Sequence, residues 1–345
     1  MDKVGGRMPA AHGKIQWGWK GMEQVWLGID VAKSKFDAAL LVEERTYHKV
    51  FAMDSRGFEA LDRWLAQQGA ERVHACMEAT GEYGAALALY LHESGYVVSV
   101  VNPVRIAAYG RSALARNKTD KTDAALIAHF CRSQHPVSWS PPPADLRELQ
   151  ELVRRVEILQ EMAQQEKNRR QSLANSPAVQ ASIAATLEFL EGEISRVREQ
   201  IGEHLGRSEE LGEKHQQLCS IPGIGEWTAA RILAEIETVR ESVSARQLAA
   251  YAGLTPRHRA SGNSVRGQPR LSKTGNSRLR KALYMPAIVA MRHNPVLREF
   301  AERLRERGKH PMVIVGAVMR KLLHIIYGVL RSATPFDPSY LSAAA

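Results

Sequence analysis

Val25-Trp26-Leu27-Gly28-Ile29-Asp30-Val31 decides the fold: an apolar run of strand length, broken by one glycine and carrying one acid near its end. Runs at Phe36–Val42 and about 46–52 follow at hairpin spacing, with Ala32-Lys33-Ser34-Lys35 as the first turn, so three short strands in a meander are expected. A helix over about 56–67 then presents Phe58, Leu61, Trp64 and Leu65 on one stripe. Strands over about 72–77 and 96–101 flank a helix over about 83–94. Alternation of strand and helix makes the later part of the sheet parallel. Three hairpin strands followed by helix, strand, helix, strand and helix is the order of an α/β ribonuclease H-like domain.

Two acids sit at strand ends in this reading, Asp30 after the first apolar run and Glu78 after Val73-His74-Ala75-Cys76-Met77. Asn117-Lys118-Thr119-Asp120-Lys121-Thr122-Asp123-Ala124 supplies two more. If a helix continues through Phe130, Asp120 and Asp123 share a face, roughly 5–6 Å apart. Hard divalent cations take oxygen ligands. In this fold the four acids converge at one sheet edge, enough for two magnesium (Mg2+) ions about 3.5–4 Å apart. The same two acids on the helix also suit capping and the positive end of the helix dipole. Arg105, Arg111, Arg116, Lys118 and Lys121 lie close by in sequence, as phosphate contacts or as a solvated basic face.

The chain has 345 residues, 44% of them hydrophobic, and a net charge of +10. That length supports two or three units, and the charge points to a polyanionic partner, with nucleic acid the commonest. Cys76, Cys131 and Cys219 form no CxxC pair, which fits reduced thiols in a cytoplasmic protein and not a disulfide or zinc framework. Residues 1–24 read as a poorly ordered extension, with Met22 as an alternative start. The apolar segment 312–330 is broken by Arg320, Lys321 and His324, so a packed helix is expected there and no membrane partner.

Ser138-Trp139-Ser140-Pro141-Pro142-Pro143 closes a first domain over 25–143. Residues 144–206 carry two helical stripes, Leu146, Leu149, Val153, Val156, Leu159 and Ile183, Leu187, Leu190, Ile194, Val197, Ile201, Leu205, separated by Asn175-Ser176-Pro177. An antiparallel helical hairpin, coiled-coil-like, is expected, with a role in homo-oligomer formation. The remainder, 207–345, opens on Ile221-Pro222-Gly223-Ile224-Gly225 between helical segments. This turn suits a helix-hairpin-helix that offers the amides of Gly223 and Gly225 to a phosphate, or an ordinary connection between helices. Between Ser242 and Arg298 there is no Asp or Glu, whereas Arg257, Arg259, Arg266, Arg270, Lys273, Arg278, Arg280 and Lys281 all occur. One-sided charge over such a length is costly unless a polyanion neutralises it. Within it, 257–267 reads as a polar, glycine-rich loop, where a serine would be surrounded by guanidinium groups able to stabilise an attacking alkoxide and a pentavalent phosphate.

Gly28-Ile29-Asp30-Val31-Ala32-Lys33, Glu78-Ala79-Thr80-Gly81, Asn117 to Asp123, Ile221 to Gly225, Ala252-Gly253-Leu254-Thr255-Pro256-Arg257, Ser261-Gly262 and Ser264-Val265-Arg266-Gly267 together resemble the DEDD transposases of the insertion-sequence 110 family, in the same order. The resemblance implies a RuvC-like N-terminal domain whose acids are Asp30, Glu78, Asp120 and Asp123. It also implies a mainly helical C-terminal transposase domain whose nucleophile is Ser261. By the same resemblance the protein is a bacterial, nucleoid-associated recombinase guided by a structured noncoding bridge RNA that pairs with donor and target DNA. Such proteins assemble as dimers or tetramers in which the acids of one subunit meet the serine of another. Three competing readings remain: a nuclease that uses the same acids and water on branched DNA, an actin-like sugar kinase suggested by Gly28-Ile29-Asp30, and a non-catalytic nucleic-acid-binding protein.

Overall fold

A computed structural model describes residues 24–79, 83–112, 119–172, 176–237, 239, 243–261 and 265–339, with backbone alone at 83 and 258–270. The expected extension up to residue 23, Arg116, Lys118 and Ser264, and the side chains of Ser261, Arg259, Arg266 and Arg270, lie outside the described residues. The chain divides into two compact units between Pro141 and Pro142.

The first unit runs β1 (Val25–Val31), β2 (Lys35–Val42), β3 (Arg45–Ala52), α1 (Ser55–Gln67), β4 (Val73–Glu78), α2 (Tyr83–Glu93), β5 (Val97–Val101), α3 (Pro103–Ser112) and α4 (Asp120–Gln134). Its sheet has the order β3-β2-β1-β4-β5. The first three strands are antiparallel, and β4 and β5 join β1 in parallel, as the hairpin spacing and the helical crossovers require. The mixed sheet and the order of its elements are consistent with a ribonuclease H-like domain.

Side chains alternate across a strand, so β1 serves two cores. Val25, Leu27 and Ile29 face one way, where Phe36, Leu61, Leu65, Met77 and Leu87 bury with them. Trp26 faces the other way, toward Cys76, Ile127, Phe130 and Cys131. Gly28 also lies on that second face, and α4 is pressed onto it: a Cβ at position 28 would stand 2.1 Å from the Ala124 carbonyl oxygen and 2.3 Å from the Ala128 nitrogen. All three cysteines carry free thiols, and that of Cys131 is pushed up by its neighbour Cys76 and by burial.

The second unit contains α5 (Ala144–Ser172), α6 (Pro177–Arg207), α7 (Glu209–Cys219), α8 (Glu226–Ile236), α9 (Ala245–Tyr251), β6 (Pro256–Ser261), β7 (Val265–Leu271), α10 (Ser277–His293), α11 (Pro295–Glu306) and α12 (Pro311–Ser332). Both expected stripes of the α5–α6 hairpin are buried except for the half-buried Ile194, and their core is continuous with that of the later helices, from Leu146 to Leu330. The hairpin therefore shares its core with the C-terminal helices. Ile158, Met162, Val179 and Phe189 remain exposed along it. By length and composition α12 could cross a membrane. It spends Ile314, Val318, Leu322, Leu323 and Ile326 on the core instead.

One expectation is corrected. The segment read as a loop over 257–267 is largely an antiparallel ribbon, β6 paired with β7, in which Arg257 stands opposite Arg270 and Ser261 opposite Val265. Its sequence has no apolar alternation to announce strands. Backbone hydrogen bonds at the base of the ribbon, described below, support the pairing.

Replacing Gly28 by Ala drives a methyl group into the α4 backbone. The expected result is destabilisation by about 1–3 kcal/mol, seen as a lower unfolding midpoint in a thermal melt.

Candidate carboxylate site and serine hairpin

The parallel register pairs Ile29 with Met77, which leaves Asp30 and Glu78 at the same ends of neighbouring strands. Asp30 follows Gly28 by two residues and Glu78 follows Cys76 by two, so both belong to the face covered by α4. The direction of α4 completes the arrangement. Near its C-terminal end the Cys131 thiol approaches the His74 carbonyl at 3.8 Å, by the start of β4. At its N-terminal end Asp120 reaches Lys35, the first residue of β2. The first turn of α4 is therefore directed to the sheet end that bears Asp30 and Glu78.

Local chemistry fixes that turn. Thr119 is the N-cap and forms a capping box with Thr122, its hydroxyl accepting from the Thr122 amide and the Thr122 hydroxyl accepting from the Thr119 amide. Asp120 is therefore the first helical residue and not the cap, and Asp123 lies one turn along. Both carboxylates complement the positive end of the helix.

A lysine and a fifth acid enter the site that the sequence reading passed over. Asp37 is the direct cross-strand partner of Asp30 and is 4% exposed. Its Oδ1 accepts from His48 Nε2 at 2.9 Å and its Oδ2 from Lys35 Nζ at 3.2 Å. Lys35 Nζ also donates to Asp120 Oδ2 at 2.9 Å. The Asp120 carboxyl is accordingly held below the usual range by its hydrogen bond from Lys35, and the Lys35 ammonium is raised by Asp120 and then Asp37. A hairpin centred on Lys33-Ser34 puts position 37 opposite position 30, so its register was the signal for Asp37.

Placement on one face at one sheet end is as far as the convergence goes. Among the described residues, no three His, Cys, Asp or Glu side chains stand close enough together to hold a metal ion. Like charges repel, and Asp120 is drawn to Lys35. The donor set still suits a hard cation, because every candidate ligand is a carboxylate and a cationic group already bridges β2 and α4.

In the second unit, the β6–β7 ribbon stands on a tightly bonded base. The Ser272 amide donates to the Thr255 carbonyl at 2.9 Å and that of Lys273 to Gly253 at 3.2 Å. Gly275 needs its positive φ of 129°, and a Cβ there would lie 2.1 Å from the Tyr251 carbonyl oxygen. Asn276 joins three helices, α8, α9 and α10. Its amide donates to the Tyr251 carbonyl at 2.6 Å, and its side-chain nitrogen donates to Glu235 Oε2 at 2.6 Å and to the Tyr251 hydroxyl at 3.0 Å. Its Oδ1 caps α10 by accepting from the Leu279 amide. Burial pushes the Tyr251 phenol up, and the Glu235 charge adds to this.

Several residues expected to contact nucleic acid have partners within the unit. Arg280 donates to the Ala252 carbonyl at 3.0 Å, and Lys281 donates to Glu161 at 3.3 Å. Gly223 adopts a φ of 105° and packs on α10, where a Cβ would lie 2.9 Å from the Ala290 nitrogen. Gly225 is the N-cap of α8, with open space where its Cβ would be. Arg257 is exposed at the foot of the ribbon.

Comparison with known proteins bears on both units. A DEDD transposase model of the IS110 group matches residues 27–176, and one described as Transposase IS116/IS110/IS902 family matches residues 215–302. The pilin gene-inverting protein of Moraxella bovis is 34% identical over 319 residues, 92% of this chain and 98% of that protein.

This chain belongs to the IS110 family of transposases.

The IS110 insertion-element protein of Streptomyces coelicolor, named as an uncharacterized 43.6 kDa protein, is 32% identical over 120 residues, 35% of this chain and 29% of that one. The transposase of insertion sequence IS1111A from Coxiella burnetii is 37% identical over 93 residues, 26% of this chain and 25% of its own. An IS110-family transposase acts on DNA as a recombinase, which excludes the sugar kinase.

Truncating Asn276 to Ala removes the α10 cap and two further side-chain hydrogen bonds. A loss of about 1–3 kcal/mol in stability is expected, together with faster hydrogen exchange at the Ser272 and Lys273 amides.

Proposed function

We propose that this transposase joins donor and target DNA through a covalent phosphoserine intermediate formed by Ser261, with Asp30, Glu78, Asp120 and Asp123 holding divalent magnesium. The observation that carries the acidic half of this reading is the placement of Asp30 and Glu78 on adjacent strand ends, facing a helix whose first turn supplies Asp120 and Asp123. Bound Mg2+ would polarise the scissile phosphate and stabilise the leaving oxygen. The residues of this chain do the rest. Ser261, the last residue of β6, attacks phosphorus in line and conserves the phosphodiester energy in a phosphoserine link. A hydroxyl on another DNA end then displaces the serine, so no external energy source is required.

The relatives named for inverting a pilin gene support this reading over simple hydrolysis, because inversion of a DNA segment requires that cut ends be rejoined. The acid-free stretch from Ser242 to Arg298 provides the cationic surface for donor and target DNA and for a structured noncoding guide RNA. Arg257, Arg259, Arg266 and Arg270 on the ribbon, with Lys273, Arg278 and the lysine and arginine that precede α4, contribute phosphate contacts. The exposed apolar residues of the α5–α6 hairpin favour a homo-oligomer, dimer or tetramer, in which acids and serine from different copies combine. The working place of such an enzyme is the bacterial nucleoid.

The test uses the full-length protein, its copurifying RNA, DNA carrying the element's ends, and magnesium. Denaturing gels should show a DNA–protein adduct with the parent and none with Ser261→Ala. Asp30→Ala and Glu78→Ala should lower adduct and recombinant product by about 10²-fold or more. Cut DNA without an adduct from the parent would establish the water-using nuclease instead, and undiminished recombination by Ser261→Ala would remove the nucleophile assignment.

A further inference from the structure

Lys35 bridges two elements of the carboxylate site, β2 and α4. Its ammonium lies 2.9 Å from Asp120 Oδ2 on α4 and 3.2 Å from Asp37 Oδ2 on its own strand. The two partners differ in kind. Asp37 is buried to 4% exposure and fixed from its other side by His48, whereas the Asp120 side chain is 60% exposed on the first turn of α4. Asp37 also stands opposite Asp30 in the register, so Lys35 is anchored beside the residue proposed as the first metal ligand.

We infer that Lys35 is the resident counter-ion of this site: it neutralises Asp120, and metal loading requires it to release Asp120 while Asp37 retains it. The inference rests on the proposed metal-holding role of the four acids. Its physical basis is threefold. An ammonium on a flexible four-carbon stem can move between neighbouring acceptors without disturbing the backbone. Half-exposed ion pairs are weak, so the Lys35–Asp120 contact can exchange with a doubly charged competitor. The buried Asp37, by contrast, keeps its lysine because it would otherwise be a buried charge with one partner fewer. In the metal-free protein Lys35 thus lessens the repulsion among the acids and ties the start of α4 to the sheet. In the loaded protein it remains as a positive group beside the site, within reach of a phosphate.

Manganese binding to full-length protein, followed by titration with Mn2+ under electron paramagnetic resonance and by the Mn2+-induced rise in unfolding midpoint, tests this without reference to recombination. Lys35→Gln should bind Mn2+ about two- to fivefold more tightly than the parent, since a competing cation is removed. Lys35→Arg, which keeps the charge, should bind no more tightly than the parent. Lys33→Gln removes the same charge from the adjacent exposed turn and should leave binding as in the parent. Equal or weaker binding by Lys35→Gln overturns the proposal, as does equal tightening by Lys33→Gln, which would assign the effect to net charge. If the parent shows no Mn2+ binding that Asp30→Ala abolishes, the metal-holding reading itself fails, an outcome separable from the other two.

Discussion

The contact on which the first unit depends is backbone against backbone, between Gly28 of β1 and the α4 segment around Ala124 and Ala128. No other residue type lets a helix lie this close to a strand. The closeness matters because α4 carries two of the four acids and β1 a third. A helix held a few ångströms further out by a side chain would still cover the sheet, but its first turn would be lifted from the strand ends that bear Asp30 and Glu78. The capping box at Thr119 and the Lys35–Asp120 pair act on that same turn, one by ending the helix and the other by tying it to β2. Three independent features thus determine where one turn of helix sits.

The second unit solves a related problem by other means. A two-stranded ribbon is marginal alone, and β6–β7 has little apolar surface with which to bury itself. Its order is borrowed from below, through Gly253, Lys273 and Gly275 in left-handed or otherwise positive-φ conformations and through Asn276, whose bonds reach α8, α9 and α10. Glu235 is used within this base, as acceptor for the Asn276 side chain. The same economy accounts for Gly223, whose close approach is to α10. A glycine-rich turn that looks prepared for phosphate serves helix packing first.

Much of the first unit was legible because its strands obey the period of two, with Leu27 and Ile29 against Gly28 and Asp30, and because its helices bury clean stripes. The acids were legible for the same reason, each falling at a strand end or helix start. Lys35 and Asp37 were missed although the hairpin register implied them: a lysine beside an acid in a polar turn looks like surface until the partner strand is placed. The β6–β7 ribbon was not legible, since Arg257, Arg259, Arg266 and Arg270 alternate with nothing apolar and Pro256 and Gly267 weaken any strand signal. Its determinants are tertiary, the Glu235–Asn276 bond spanning 41 residues of sequence.

The distribution of charge follows from these constraints. Carboxylates gathered at a sheet end need a positive helix terminus and a cation, and unit one supplies both in α4 and Lys35. Guanidinium groups intended for a polyanion must not find carboxylates first, and the stretch from Ser242 to Arg298 secures this by containing none. The exceptions are instructive: Arg280 is spent on the Ala252 carbonyl and Lys281 on Glu161, both at the start of α10 and away from the ribbon strands. The four-acid set and the acid-free basic stretch thus lie in separate folding units of one chain.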